Sequence, residues 1–119
     1  NEVVPGILLF RVEAALLYFN TEHVSAAILE KVFSGAMRPK FVVCDLSTSP
    51  MVDLAGARML AGLQEKLAAE GITFRLAEAH ATVRDILRAE GLEERVGPID
   101  RRISINDVVG QIQTATDPK

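Results

Sequence analysis

The 119-residue sequence predicts an α/β domain: a mixed β-sheet of four to five strands with about four helices packed around it. Three observations carry that expectation. Short apolar runs alternate with longer stretches whose apolar residues recur at helical spacing. One run, Phe41 to Leu46, is β-branched and apolar up to Asp45, the composition of a central strand covered on both faces. The connections are short and rich in Gly, Ser, Thr and Pro, as right-handed crossover units require.

In chain order, Ile7–Val12 and Ala15–Phe19 are two apolar runs a few residues apart, the pattern of an antiparallel hairpin, with Pro5-Gly6 punctuating its start. From Asn20 the period changes. Val24, Ile28, Leu29, Val32 and Phe33 mark a helix that Asn20 or Thr21 caps and Gly35 closes. After the Phe41–Leu46 strand and the polar loop Ser47–Pro50, Leu60, Leu63 and Leu67 lie on one face of a second helix. It runs from about Leu54 to Glu70, with Asp53 at its N-cap and Gly71 at its C-terminus. Ile72–Leu76 reads as a further strand. Thr82–Glu90 reads as a third helix, with Thr82 and Asp85 as a capping box and Gly91 as its stop. A last helix from about Ser104 turns Ile105, Val108, Val109 and Ile112 inward, and the tail Thr114–Lys119 frays.

Composition narrows the function classes. A chain of this length fits one domain, spanning residues 1–119, that buries roughly two-thirds of its unfolded surface and needs no metal or disulfide to fold. The 13 basic and 16 acidic residues are interspersed, without the basic clustering that nucleic acid demands. The longest uninterrupted apolar run is far below the ~20 residues of a membrane span. Cys44, the single cysteine, excludes an internal disulfide and suits a reducing compartment, the cytoplasm. The chain opens on Asn1-Glu2-Val3 without an initiator Met, as a piece of a longer protein would.

In parallel sheets, ligand sites lie beyond the carboxyl ends of the strands, here the loops Ser47–Asp53 and Ala77–Ala81. The candidate binding residues are Ser47, Thr48, Ser49, Met51, Asp53, Ala55 and Gly56. They combine three hydroxyls with a helix N-terminus, an arrangement suited to an anion. Against that, no glycine-rich cradle or P-loop lysine accompanies them, and Asp45, Asp53 and Glu78 add negative charge, so a capped turn is the simpler reading. His23 and His80 have no partner at metal-ligand spacing and read as surface histidines. Cys44 reads as a buried structural thiol. Glu93-Glu94 with Arg95 reads as a solvated turn, and Arg84, Arg88, Arg95, Arg101 and Arg102, interleaved with acids, as a mixed surface. No nucleophile, base and oxyanion set assembles into an enzyme site.

Two segments together resemble a known family. Val4-Pro5-Gly6-Ile7-Leu8-Leu9-Phe10-Arg11 followed by Leu17-Tyr18-Phe19-Asn20 is similar to the opening of the STAS domain of sulfate permease (SulP) anion transporters. Val43-Cys44-Asp45-Leu46-Ser47, Val52-Asp53-Leu54-Ala55-Gly56 with Leu60 and Leu63, Leu67–Ile72 and Val83–Leu92 resemble the rest of that domain's pattern. The resemblance implies a STAS-like α/β fold on the cytoplasmic side of an integral membrane protein, joined after its last membrane span. It implies a non-catalytic role in regulation or docking. The partners it implies are the transporter's own transmembrane domain, a cytoplasmic protein, and a nucleotide or simple anion bound weakly; no cofactor and no nucleic acid are expected. The related free-standing anti-sigma-factor antagonists are phosphorylated on a serine at the position of Ala55, which has no hydroxyl to modify. An antagonist-like partner-switch protein, not phosphorylatable at Ala55, is therefore the alternative reading.

Overall fold

The computed structural model describes residues 6–13, 15–17, 20–35, 38–97, 99 and 103–116. Three parallel strands form the sheet among these residues: β1 (Ile7–Arg11), β2 (Phe41–Asp45) and β3 (Thr73–Ala77), in the order β1-β2-β3. Between and after them run α1 (Thr21–Ser34), α2 (Leu54–Ala69), α3 (Ala81–Ala89), the short α4 (Glu93–Val96) and α5 (Ile105–Thr116). The strands are in simple register, with Leu9, Val43 and Arg75 side by side across the sheet.

Because side chains alternate along a strand, the sheet divides its residues between two layers. Leu8 and Phe10 of β1, Val42 and Cys44 of β2, and Phe74 and Leu76 of β3 join the main core beneath α1–α4, with Ile28, Leu60, Leu63, Leu67 and Leu87. The other face carries a smaller cluster in which Val43 and Ala77 meet Ile103, Val108 and Ile112 of the α5 region. The central strand β2 is buried on both sides, which is what its unbroken apolar run anticipates. Each large side chain so buried contributes about 1.5–3 kcal/mol.

The opening hairpin is not found among the described residues. Instead of folding back on β1, the chain continues in the same direction past the end of β2: the N–H of Val12 donates to the Asp45 carbonyl, Leu16 N–H to Met51 O, and Asp53 N–H to Leu16 O. Leu16, fully buried, pairs with Val52 in an isolated parallel bridge. Within the second apolar run it is Leu16 that lies against the α2 N-terminus; Tyr18 and Phe19, like Pro5, lie outside the described set. Among the described residues the sheet is thus parallel and three-stranded where a mixed sheet of four to five strands was expected, and five helices are found where about four were expected.

Helix ends also depart from the expectation in detail. Asn20 precedes α1, but its amide bridges the preceding turn, accepting from Leu17 N–H and donating to Ala15 O. The Thr82–Asp85 box does not form, since α3 begins one residue earlier with His80 at its N-cap. A reciprocal box does form at α5, where the Ser104 hydroxyl accepts from Asp107 N–H and the Asp107 carboxylate from Ser104 N–H. Gly71 and Gly91 close α2 and α3 at φ of +77° and +75°, the left-handed conformation in which a Cβ is penalised. Glu93-Glu94, expected in a turn, opens the short helix α4.

Two α2 glycines yield opposite predictions. A Cβ on Gly56 would lie 2.5 Å from the Leu16 carbonyl oxygen, whereas one on Gly62 meets nothing within 4 Å. Gly56→Ala is expected to destabilise the domain by about 1–3 kcal/mol, and Gly62→Ala to stabilise it by up to about 1 kcal/mol through helix propensity. Urea denaturation of the two variants checks both signs.

Candidate functional site

The candidate loops meet at the carboxyl ends of β2 and β3 and are tied to each other. Leu46 N–H donates to Ala77 O. The His80 Nε2 lies 2.8 Å from the Ser47 carbonyl oxygen; a carbonyl only accepts, so Nε2 carries the proton. His80 is half-buried and joins the two loops, so it is not the surface histidine its isolation in sequence suggested; His23 is exposed. No signal in the sequence connects positions 47 and 80.

Beneath these loops sits Asp45, buried at the end of β2. One carboxylate oxygen accepts from Arg11 Nε at 2.9 Å and the other from Ser47 N–H at 2.8 Å. Burial alone pushes this carboxyl up, but hydrogen bonds from the Ser47 N–H and hydroxyl, then the Arg11 guanidinium, outweigh it and hold the group below its ordinary value. Next to it Cys44 is fully buried, and loss of solvent pushes its thiol up to about 12, with Asp45 adding to the shift. It is a packing residue at neutral pH.

The loop's hydroxyls point into the protein. Ser47 turns back on Asp45, the Thr48 hydroxyl donates to Val12 O at 2.6 Å, and buried Ser49 reaches the same carbonyl at 3.4 Å. At the start of α2 the Asp53 carboxylate accepts from Gly56 N–H at 2.8 Å, so the helix supplies its own anion. Gly56 is buried against Leu16 and Val52. Ala55 is half-buried beside α1, and it is Met51 and the neighbouring Leu54, 62% and 46% exposed, that project outward. Leu54 escaped the sequence reading because an apolar residue in a helix's first turn ordinarily reads as core.

The second loop is occupied as well. Glu78 adopts a left-handed backbone, φ +64°, donates its N–H to Ile103 O and accepts from Ile105 N–H on its carboxylate, anchoring the α5 N-terminus. Among the described residues no group of three or more His, Cys, Asp or Glu could hold a metal ion, and no helix is long and apolar enough to cross a membrane. Of the described arginines, Arg88 pairs with Glu93 and Arg95 with Glu65, the mixed surface expected, whereas Arg84 departs from it: the residue is half-buried and its Nε lies out of solvent without a hydrogen-bond partner among the described residues. Asp100, Arg101 and Arg102 lie outside the described residues.

The family model for the STAS domain matches residues 1–106. This chain belongs to the STAS domain family. A curated relative named a probable sulfate transporter, from Mycobacterium tuberculosis, is 29% identical over 94 residues, 79% of this chain and 17% of the relative. Among solved structures, the murine solute carrier 26 member A9 anion transporter in its inward-facing state superposes with a TM-score of 0.80 at 24% identity, over 95% of this chain and 18% of that one. A putative anti-sigma factor antagonist from Thermotoga maritima gives 0.77 at 14% identity, covering 94% and 92%. The chain therefore spans under a fifth of the length of these two transporters and nearly all of the antagonist.

Two outcomes follow from this site. Because the folded-state Asp45 carboxyl is held below its unfolded value, it contributes stability above that value and loses it as pH falls through the folded one. Wild-type stability in urea is expected to drop below about pH 4 more steeply than that of Asp45→Asn. Cys44 should resist a thiol reagent in the native domain at pH 8 and react on unfolding; fast native labelling would contradict its burial.

Proposed function

We propose that this STAS domain is a non-catalytic docking module on the cytoplasmic side of a SulP-type anion transporter. The observation that carries the reading is the division of the candidate loop: its hydroxyls are bonded within the chain and the α2 N-terminus is capped by Asp53, while Met51 and Leu54 are exposed to solvent. Exposed apolar area beside hydroxyls that are bonded within the chain is suited to protein contact more than to catalysis or to phosphate. The relative named a sulfate transporter and the murine anion transporter support placing the module in a larger membrane protein, with that protein's transmembrane domain or a cytoplasmic protein as the partner.

The free-standing antagonist reading rests on the likeness to the Thermotoga protein. Ala55 disfavours it, because a partner switch driven by phosphate needs a hydroxyl at that place.

The test is anion uptake by the full-length transporter in proteoliposomes. Met51→Asp with Leu54→Asp places two charges on the exposed patch without entering the core, so the domain's Tm should hold within a few degrees. Uptake is expected to fall several-fold at unchanged protein level; uptake equal to wild type would refute docking through this patch.

A further inference from the structure

Alongside the Met51–Leu54 patch, a groove of about 480 Å3 runs between the parallel helices α1 and α2. Leu29, Met59 and Leu63 form its apolar floor, and Ala26, Ala55 and Gly62 keep it open. Gly62 has no internal reason to be glycine: a Cβ there meets nothing within 4 Å, and mid-helix glycine costs about 1 kcal/mol against alanine. The space above it is large enough for a helix backbone to approach closely.

The ionic side chains at the groove identify the occupant. Arg58 and Lys66, both from α2, stand about 12 Å apart along the helix at 1.5 Å per residue. The α2 carboxylate Glu65 turns elsewhere, to Arg95 at 2.6 Å. Arg58 has only a long, exposed pairing with Glu90 at 3.8 Å, and Lys66 has no ion-pair partner among the described residues. Among the described residues, the one carboxylate lining the groove is Glu22, in the first turn of α1. The rim is thus net basic in a chain whose formal charge is −3. We propose that the α1–α2 groove docks a helix of another protein that lays a small-residue apolar face over Gly62 and sets carboxylates, two turns apart, against Arg58 and Lys66. This extends the docking reading by giving its partner a chemistry.

The probe is a pair of helical peptides about 15 residues long. They share one Ala/Leu stripe and differ only in carrying Glu or Lys at two flanking positions two turns apart. Amide-shift titration of the 119-residue domain should show saturable binding of the Glu peptide, centred on Ala26–Leu29 and Ala55–Lys66. The Lys peptide should bind about tenfold more weakly, the combined effect of gaining two ion pairs in place of two repulsions. Arg58→Glu with Lys66→Glu should invert that preference. Gly62→Gln, which fills the groove without touching the core, should abolish binding at a Tm no lower than wild type. Equal affinity for both peptides, shifts centred elsewhere, or no shift at about 1 mM peptide would overturn the assignment. The docking reading stands or falls separately, because transporter uptake in the Met51→Asp, Leu54→Asp variant does not involve the peptides.

Discussion

Asp45, the last residue of β2, divides its buried carboxylate between the Arg11 guanidinium on the neighbouring strand and the N–H of Ser47 in the loop that follows. A charge in that position is tolerable only while both oxygens stay hydrogen-bonded, since an unpaired buried carboxylate costs several kcal/mol. Its demands are met by fixing the end of β1 and the first turn of the loop at once. The Val12 N–H on the Asp45 carbonyl, with Thr48 and Ser49 both reaching the Val12 carbonyl, extends the same junction by one residue on each chain. The geometry of the loop, and hence of the α2 N-terminus, descends from this arrangement.

The next constraint is steric. Leu16 lies against the start of α2, accepting the Asp53 N–H and leaving no room for a side chain at Gly56. The turn from loop to helix places Met51 and Leu54 outward, while Val52 goes into the core. The loop's hydroxyls and the Asp53 carboxylate are engaged in building the turn, and Met51 and Leu54 add exposed apolar surface at the α2 N-terminus, where the α1–α2 groove begins. Under the docking reading, the loop is rigid because of its polar groups and adhesive because of its exposed ones.

Much of this was legible in the sequence where periodicity carries physical meaning. The apolar run of β2, the Leu60, Leu63 and Leu67 stripe of α2 and the Asp53 cap describe residues whose environment is set by local pattern. The parts that were not legible depend on partners distant in the chain. Ala15–Phe19 carries a strand's composition, but that Leu16 would bridge to Val52 instead of pairing back on β1 is decided 36 residues away. The Ser47, Thr48 and Ser49 hydroxyls look uncommitted until Val12 and Asp45 are brought beside them. His80 becomes a loop tie only through Ser47, and Glu78 leaves the candidate site only because α5 presents Ile105 N–H to it. In each case the local sequence fixes the residue's chemistry and the topology fixes its use.

Hydrogen exchange, compared between the isolated domain and the full-length transporter, tests the docking claim most directly, because it reports burial of backbone without presupposing the partner. If the outward patch and the α1–α2 face are engaged, amides in the Met51–Leu54 segment and along the solvent side of α1 and α2 exchange more slowly in the full-length protein, while the α5 layer behaves alike in both. Identical exchange across Met51–Lys66 in the two proteins would contradict the account.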